Sequence, residues 1–274
     1  MKIKRYVSIP WHIIFLVTVC ILLFPIIFAV GSSFKSLQDA FNNVLNIVPF
    51  QPTLENYRTF FKSLPAFKIV TNTITIASVV TLFKVVTSFL AAYAFVYFQF
   101  KGKNLLYFLL ISTIFIPFTV TMIPNYLLIS SMGLTNSIWG VILPQLADAI
   151  GIFLLRQAMK TIPVSLIEVA RLDNLGHARI MKDIILPLVK PAVTSTGIWF
   201  FISSWNEYVW PVLILKTNEN YTLPLALQMY ISSEGGTNFT VAMAVSVITM
   251  IIPLTLYLFF QKYIIGTFTS SGIK

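Results

Sequence analysis

Nine carboxylates, two histidines and one cysteine are the side chains with which this chain could do acid–base, nucleophilic or metal chemistry. Their spacing supports none of the three. His12 and His177 stand far apart and outside any H-E-x-x-H pattern, Cys20 has no second cysteine to pair with, and the carboxylates show no spacing that sets a general acid against a base. A loop that cradles nucleotide phosphates is missing as well, because Gly102-Lys103 lacks the upstream glycine and is followed by Asn104. No residue is therefore assigned a catalytic or metal-binding role, and His177 is read as a loop side chain.

What remains is charge in unusual places. Lys84, Asp148 and Glu207 each fall inside an apolar run. A charge at the centre of a membrane helix costs about 2.5–3.5 kcal/mol on insertion scales, so each must face protein or water. Lys84 can pair with Asp148 or Glu207, or reach along a tilted helix to the interface. Glu207 lies in the stretch SWNEYVWP, where Trp205, Asn206, Glu207, Tyr208 and Trp210 combine aromatic rings with amide and carboxylate groups, the combination that grips sugars. Two readings stand for this set together with Asp148 and Lys84: residues that line or gate a pathway, or an interfacial aromatic belt with structural hydrogen bonds.

The elements that must hold these residues follow from composition. The chain is 57% hydrophobic and only 10% charged, with mean hydropathy +0.84, whereas a soluble domain is about a quarter charged. Apolar runs at 11–31, 70–97, 104–130, 137–155, 191–215 and 239–263 predict an all-α membrane protein with six transmembrane helices in a single domain, 1–274. Barrel strands are excluded by the length of the runs. The first run exceeds the apolar stretch of about 7–15 residues in a signal peptide, so it is expected to stay as a span.

The net charge of +10 suggests cytoplasmic loops rather than nucleic acid. With the N-terminus inside, Lys2, Lys4, Arg5, Lys101, Lys103, Arg156, Lys160, Arg171, Arg179, Lys182, Lys190, Lys262 and Lys274 fall in the cytoplasm. Only Lys35, Arg58, Lys62, Lys68 and Lys216 fall outside. That asymmetry predicts both termini cytoplasmic, including the tail at 270–274, and assigns the loop at 156–190 to the same side.

This loop contains EVARLDNLGHARIMKDIILPL. Pro163 suits a helix start, and Asn174 to Gly176 suits its end, since both residue types accept left-handed backbone angles. A second helix from about 177 to 186, with Ile180 and Ile184 on one face, is expected to close at Pro187. Leu166, Val169, Ala170 and Leu172 offer the first helix an apolar stripe, flanked by Glu168, Arg171 and Asp173. The residues alone leave two uses open: docking in a partner's groove, or resting on the membrane surface.

The segment resembles the cytoplasmic EAA loop of permease subunits of binding-protein-dependent ABC importers. Glu168, Ala170, Ile184, Leu186 and Pro187 stand in the register of that pattern, while Val169 replaces its middle alanine and Asn174 its glycine. TLENY, NYLLISSMGL, GIFLLRQ, LPLVKPA and SWNEYVWP are similar to the maltose-type carbohydrate branch, and the likeness runs over roughly 52–266. The resemblance implies a multi-pass permease in the bacterial cytoplasmic membrane that imports an oligosaccharide, disaccharide or related polyol. It implies a second permease subunit, two ATPase subunits that bind ATP-Mg, and an extracytoplasmic sugar-binding protein, with no cofactor in this chain and no nucleic acid. Glu168, Val169, Ala170, Arg171, Asp173, Asn174, Ile184, Leu186 and Pro187 are the expected ATPase-coupling residues. The alternative is a secondary transporter coupled to an ion gradient through Lys84, Asp148 and Glu207; its usual cue, matching broken helices in two internal repeats, is not visible.

Overall fold

A computed structural model describes residues 3–44, 46–231 and 238–270, with side chains over 9–44, 46–231 and 238–261. The turn that Glu234-Gly235-Gly236 suggests by sequence and the tail after Ser270 lie outside the described residues. Those described form helices and loops with no strand: α1 (Ile3–Ser33), α2 (Leu37–Asn42), α3 (Glu55–Ser63), α4 (Ala66–Tyr97), α5 (Lys103–Ser112), α6 (Phe118–Ser131), α7 (Ile138–Ile142), α8 (Ala149–Lys160), α9 (Val164–Leu172), α10 (His177–Arg179), α11 (Leu186–Trp205), α12 (Val209–Ile214), α13 (Leu223–Ile231) and α14 (Phe239–Ser270). Four stretches are long and apolar enough to cross a membrane, at Ile9–Ser33, Ala66–Tyr97, His177–Ile214 and Phe239–Gln261. Two bent pairs bring the number to as many as six if each is one span.

The third and fourth expected spans are thus broken, and the sequence explains where. Lys103–Phe115 and Phe118–Ser131 meet at 99°. Pro117 sits at the corner, and the residue before it, Ile116, is extended at φ −83°, ψ 113°, as the clash with a following proline ring demands. Ile138–Gln145 and Ala149–Lys160 meet at 43°. There Pro144 lies in a 3-10 turn, and Asp148 caps α8 by accepting hydrogen bonds from the N–H groups of Ile150 (2.9 Å) and Gly151 (3.2 Å). The carboxylate expected within the fourth span lies at the break between its two halves, at a helix N-terminus, where its charge is favoured.

A further correction concerns Pro187. The second loop helix does not close there: the chain runs on from α10 through a π-helical segment, Ile180–Ile185, into α11. The wider turn interrupts the regular ladder just before the proline, so its missing N–H and its ring fall in the first turn of a restarted α-helix, where they are tolerated. The stretch between α8 and the long helix is consequently 161–176, shorter than the expected loop of 156–190.

Packing divides the chain into two compact units, Met1–Phe67 with Leu223–Ile252 and Lys68–Thr222 with Pro253–Lys274. In the first, the mixed, Asn- and Pro-containing connection after Phe34 holds α2 and α3. Asn56 is buried and its Nδ2 donates to the carbonyls of Ser33 (2.7 Å) and Lys35 (2.8 Å). In the second, α11 packs on α8, and a Cβ on Gly151 would lie 2.4 Å from Ser88 Oγ of α4 and 2.5 Å from Phe200 Cζ of α11. Only glycine fits at that crossing.

Candidate coupling and pathway sites

α9 carries the middle of the charged insert, and its two apolar faces have different destinations. Ile167 and Ala170, three residues apart, turn inward onto a core of Ala92, Tyr93, Leu155, Met159, Ile180 and Val189. Val164, Val169 and Leu172 turn away and remain 65%, 55% and 81% exposed. The expected single stripe of Leu166, Val169, Ala170 and Leu172 is therefore split: Ala170 belongs to the seat, and the other three to the free surface. Ile167, which was missed, carries its signal in the three-residue spacing to Ala170. Glu168, Arg171 and Asp173 are exposed.

The end of α9 is built as the residue types demand. Asn174 takes the left-handed conformation at φ 55°. Its N–H donates to Arg171 O, and that of Leu175 donates to Ala170 O, both at 3.0 Å. These two bonds make a Schellman closure, with Leu175 joining Ala170 in the apolar cluster. Asparagine takes here the left-handed angle that glycine adopts most freely. Asn174→Gly is expected to leave stability nearly unchanged, whereas Asn174→Val should cost about 1–2 kcal/mol, the strain of a left-handed non-glycine residue; thermal unfolding of the purified protein checks both.

The seat is tied by polar contacts that were not foreseen. Tyr93 Oη and His177 Nδ1 form a hydrogen bond of 2.9 Å, and the His177 ring stands edge-on to Phe98 at 4.7 Å between centroids. Arg171 donates from Nη2 to Tyr97 O at 3.4 Å, and Tyr97 Oη donates to Met159 O at 3.2 Å. α4 thus grips both arms of the loop. In the second arm Ile184 is partly buried against the cluster, Leu186 is exposed, and Pro187 lies in the first turn of α11.

Of the intramembrane charges, Lys84 and Asp148 meet, with Nζ 3.2 Å from Oδ2 and side chains 15% and 20% exposed. Lys84 Nζ also stands 5.2 Å from the centroid of the Phe200 ring. Thr87 Oγ1 donates to Leu146 O at 3.1 Å, so α4 holds the break before α8 at two points. Glu207 is elsewhere: its Oε1 accepts from Trp210 N, in the first turn of α12, at 3.2 Å. Trp205 and Trp210 are buried at 0% and 2% exposure, and Trp210 Nε1 donates to Gly140 O at 3.2 Å. Both rings pack inside the chain, while Asn206, Glu207 and Tyr208 keep exposed or half-exposed surface.

Residues 84–267 match the family model described as "Binding-protein-dependent transport system inner membrane component". The chain is 30% identical to the arabinooligosaccharides transport system permease protein AraQ of Halalkalibacterium halodurans, over 93% of this chain and 92% of that one. It is also 30% identical to the sn-glycerol-3-phosphate transport system permease protein UgpE of Yersinia pestis, over 96% of each. Among solved structures, a chain of a bacterial ABC transporter involved in the import of the acidic polysaccharide alginate shares the fold, with TM-score 0.82, 24% identity, and coverage of 96% of this chain and 98% of that one. A family match over two thirds of its length, relatives along nearly all of it and a shared helical fold lead to one conclusion: this chain belongs to the inner membrane components of binding-protein-dependent transport systems.

Proposed function

We propose that this chain is the transmembrane permease subunit of an ATP-driven carbohydrate importer, with α9 as its coupling helix. The observation that carries the reading is the double character of α9: one face is locked into the chain's own core by Ile167 and Ala170, and the opposite face presents exposed Val164, Val169, Leu172 and Glu168. A helix built that way transmits force. A partner that grips the outer face moves α4, α8 and the long helix His177–Ile214 with it, because all pack on the same cluster.

In this reading the loop faces the cytoplasm with both termini, each of the two bent pairs is one span, and six spans result. The partner beneath is a pair of ATPase subunits that bind ATP-Mg. A second permease completes the pathway, and an extracytoplasmic binding protein delivers the substrate, an oligosaccharide, disaccharide or related polyol. Arabinooligosaccharides in the name of one relative support that class, and sn-glycerol-3-phosphate in the name of another adds glycerol phosphate derivatives as a second candidate substrate. ATPase closure and binding-protein docking act on one equilibrium between inward- and outward-open states, which shifts only by their differential affinity for the two. Asn206, Glu207 and Tyr208 are the gating candidates.

Glu168→Lys tests the coupling role. In the assembled complex in lipid, sugar-loaded binding protein is expected to stimulate ATP hydrolysis in wild type and to lose that stimulation in the variant, with the subunits still bound. Undiminished stimulation sinks the role of Glu168, and absence of any co-purifying ATPase sinks the importer reading.

A further inference from the structure

The first compact unit, Met1–Phe67 with Leu223–Ile252, contains a cleft of about 480 Å³ bounded by the connection after α1, by α3 and by the start of α14. That volume lies within the range of about 300–1,000 Å³ usual for small-molecule sites. Leu37, Pro52 and Val241 form part of its wall, and the rest of the wall is polar. Asn56 is 6% exposed, and its Nδ2 is taken by the carbonyls of Ser33 and Lys35. Those two bonds fix the amide, so Oδ1 stands at the cleft as an acceptor with no donor among the described residues. Thr59, three residues further along the same face of α3, also lines the cleft, and its hydroxyl makes no hydrogen bond among the described residues. Other lining groups are left able to donate. Ser36 Oγ accepts from Asp39 N and Thr53 Oγ1 from Glu55 N, both at 3.1 Å, while Asn238 Oδ1 accepts from Thr240 Oγ1 at 3.2 Å and from Val241 N at 3.4 Å. Two hydroxyl hydrogens and the Asn238 Nδ2 therefore remain for a ligand.

Donors and acceptors side by side suit hydroxyl groups, each of which does both. The one charged group in the wall, Glu55, is negative and pairs with the exposed Arg58 at 3.7 Å, so no lining residue offers an anion a cation. We propose that this cleft is a subsite for a neutral sugar or polyol, with Asn56 Oδ1 and the Glu55 carboxylate accepting from its hydroxyls, Ser36, Thr53 and Asn238 donating to them, and Thr59 doing either. The proposal rests on the importer reading, which sets the end of α1 and the start of α14 on the outer side, where a binding protein delivers substrate. A phosphate ester meets Glu55 as a like charge. An apolar ligand leaves these polar groups unpaired, which is costly.

The test uses the purified complex in nanodiscs without ATP, with arabinobiose as the neutral probe and saturation-transfer NMR reporting its binding. Thr59→Val removes a hydroxyl that holds nothing within the protein, and it is expected to weaken binding about five-fold, the worth of one hydrogen bond. Thr59→Ser should bind like wild type, and Thr59→Phe, which fills the cleft, should bind at least about ten-fold more weakly; Thr59→Val carries the test alone if the larger ring prevents folding. Glycerol 3-phosphate is expected not to compete. Equal binding by wild type and the folded variants overturns the proposal, as does displacement of the probe by glycerol 3-phosphate. Variants that release the binding protein yet hold arabinobiose like wild type reveal a protein-docking surface and overturn it too. The importer reading fails separately, by a wild type without a co-purifying ATPase or ATP-driven uptake, so the two failures are told apart.

Discussion

Lys84→Met is expected to destabilise the protein by about 3 kcal/mol, the lower end of the range for breaking a buried ion pair, because both partners keep some exposure. The loss comes from Asp148. With Lys84 in place its carboxylate has a cation at 3.2 Å and two capping N–H donors; without Lys84 the charge, only 20% exposed, is left with the cap alone. Lys84→Met/Asp148→Asn removes both charges yet keeps a side-chain oxygen that can cap α8. That double variant is therefore expected to regain most of the lost stability. Thermal unfolding in lipid decides: a double variant no more stable than Lys84→Met means the charges do not act as a pair.

The pair also bears on transport. Asp148 fixes the start of α8, and α8 ends three residues before Pro163 at the start of α9. A clasp between α4 and that break keeps the seat of the proposed coupling helix rigid along its length. Lys84 and Asp148, read from sequence as pathway candidates, satisfy each other here, and family membership leaves the gradient-driven alternative without support.

How far the sequence spoke depended on the range of the interaction. Long apolar runs are local, and so α1, α4 and α14 were legible within a few residues. The left-handed turn at Asn174 was legible too, because backbone preference belongs to a single residue type. The breaks at Pro117 and Pro144 were marked by their prolines, but the angles of 99° and 43° depend on what packs on each half. Which face of α9 turns inward was hidden for the same reason: Leu166 and Ile167 are adjacent and equally apolar, and only the position of Tyr93 and Met159 separates them. Trp205 and Trp210 look like ligand-gripping rings in a string of letters, and their burial appears only in the fold, for Trp210 where α12 meets α7.

Lys35 shows the limit most clearly and yields the second large effect. By sequence it is one of a few cations outside the membrane, yet it is 1% exposed. Its ammonium donates to the carbonyl of Asn43 at 3.0 Å and to that of Asn46, and it lies 6.0 Å from the centroid of Phe28. Asn43 is the C-cap of α2, where the helix dipole favours a cation. The acceptors sit eight and eleven residues downstream, so no local pattern announces them. Lys35→Met keeps the apolar stem and removes the charge-assisted bonds. It is expected to cost about 2–3 kcal/mol, equivalent to roughly 30- to 150-fold more frequent local opening. Hydrogen exchange of amides that α2 and the Lys35 turn protect, Asn43 N to Asp39 O among them, should speed up by that factor while α4 is unchanged. Because Asn56 fastens α3 to the carbonyl of the same lysine, α3 should share the acceleration; unchanged exchange in both helices would show that the ammonium does not hold this segment together.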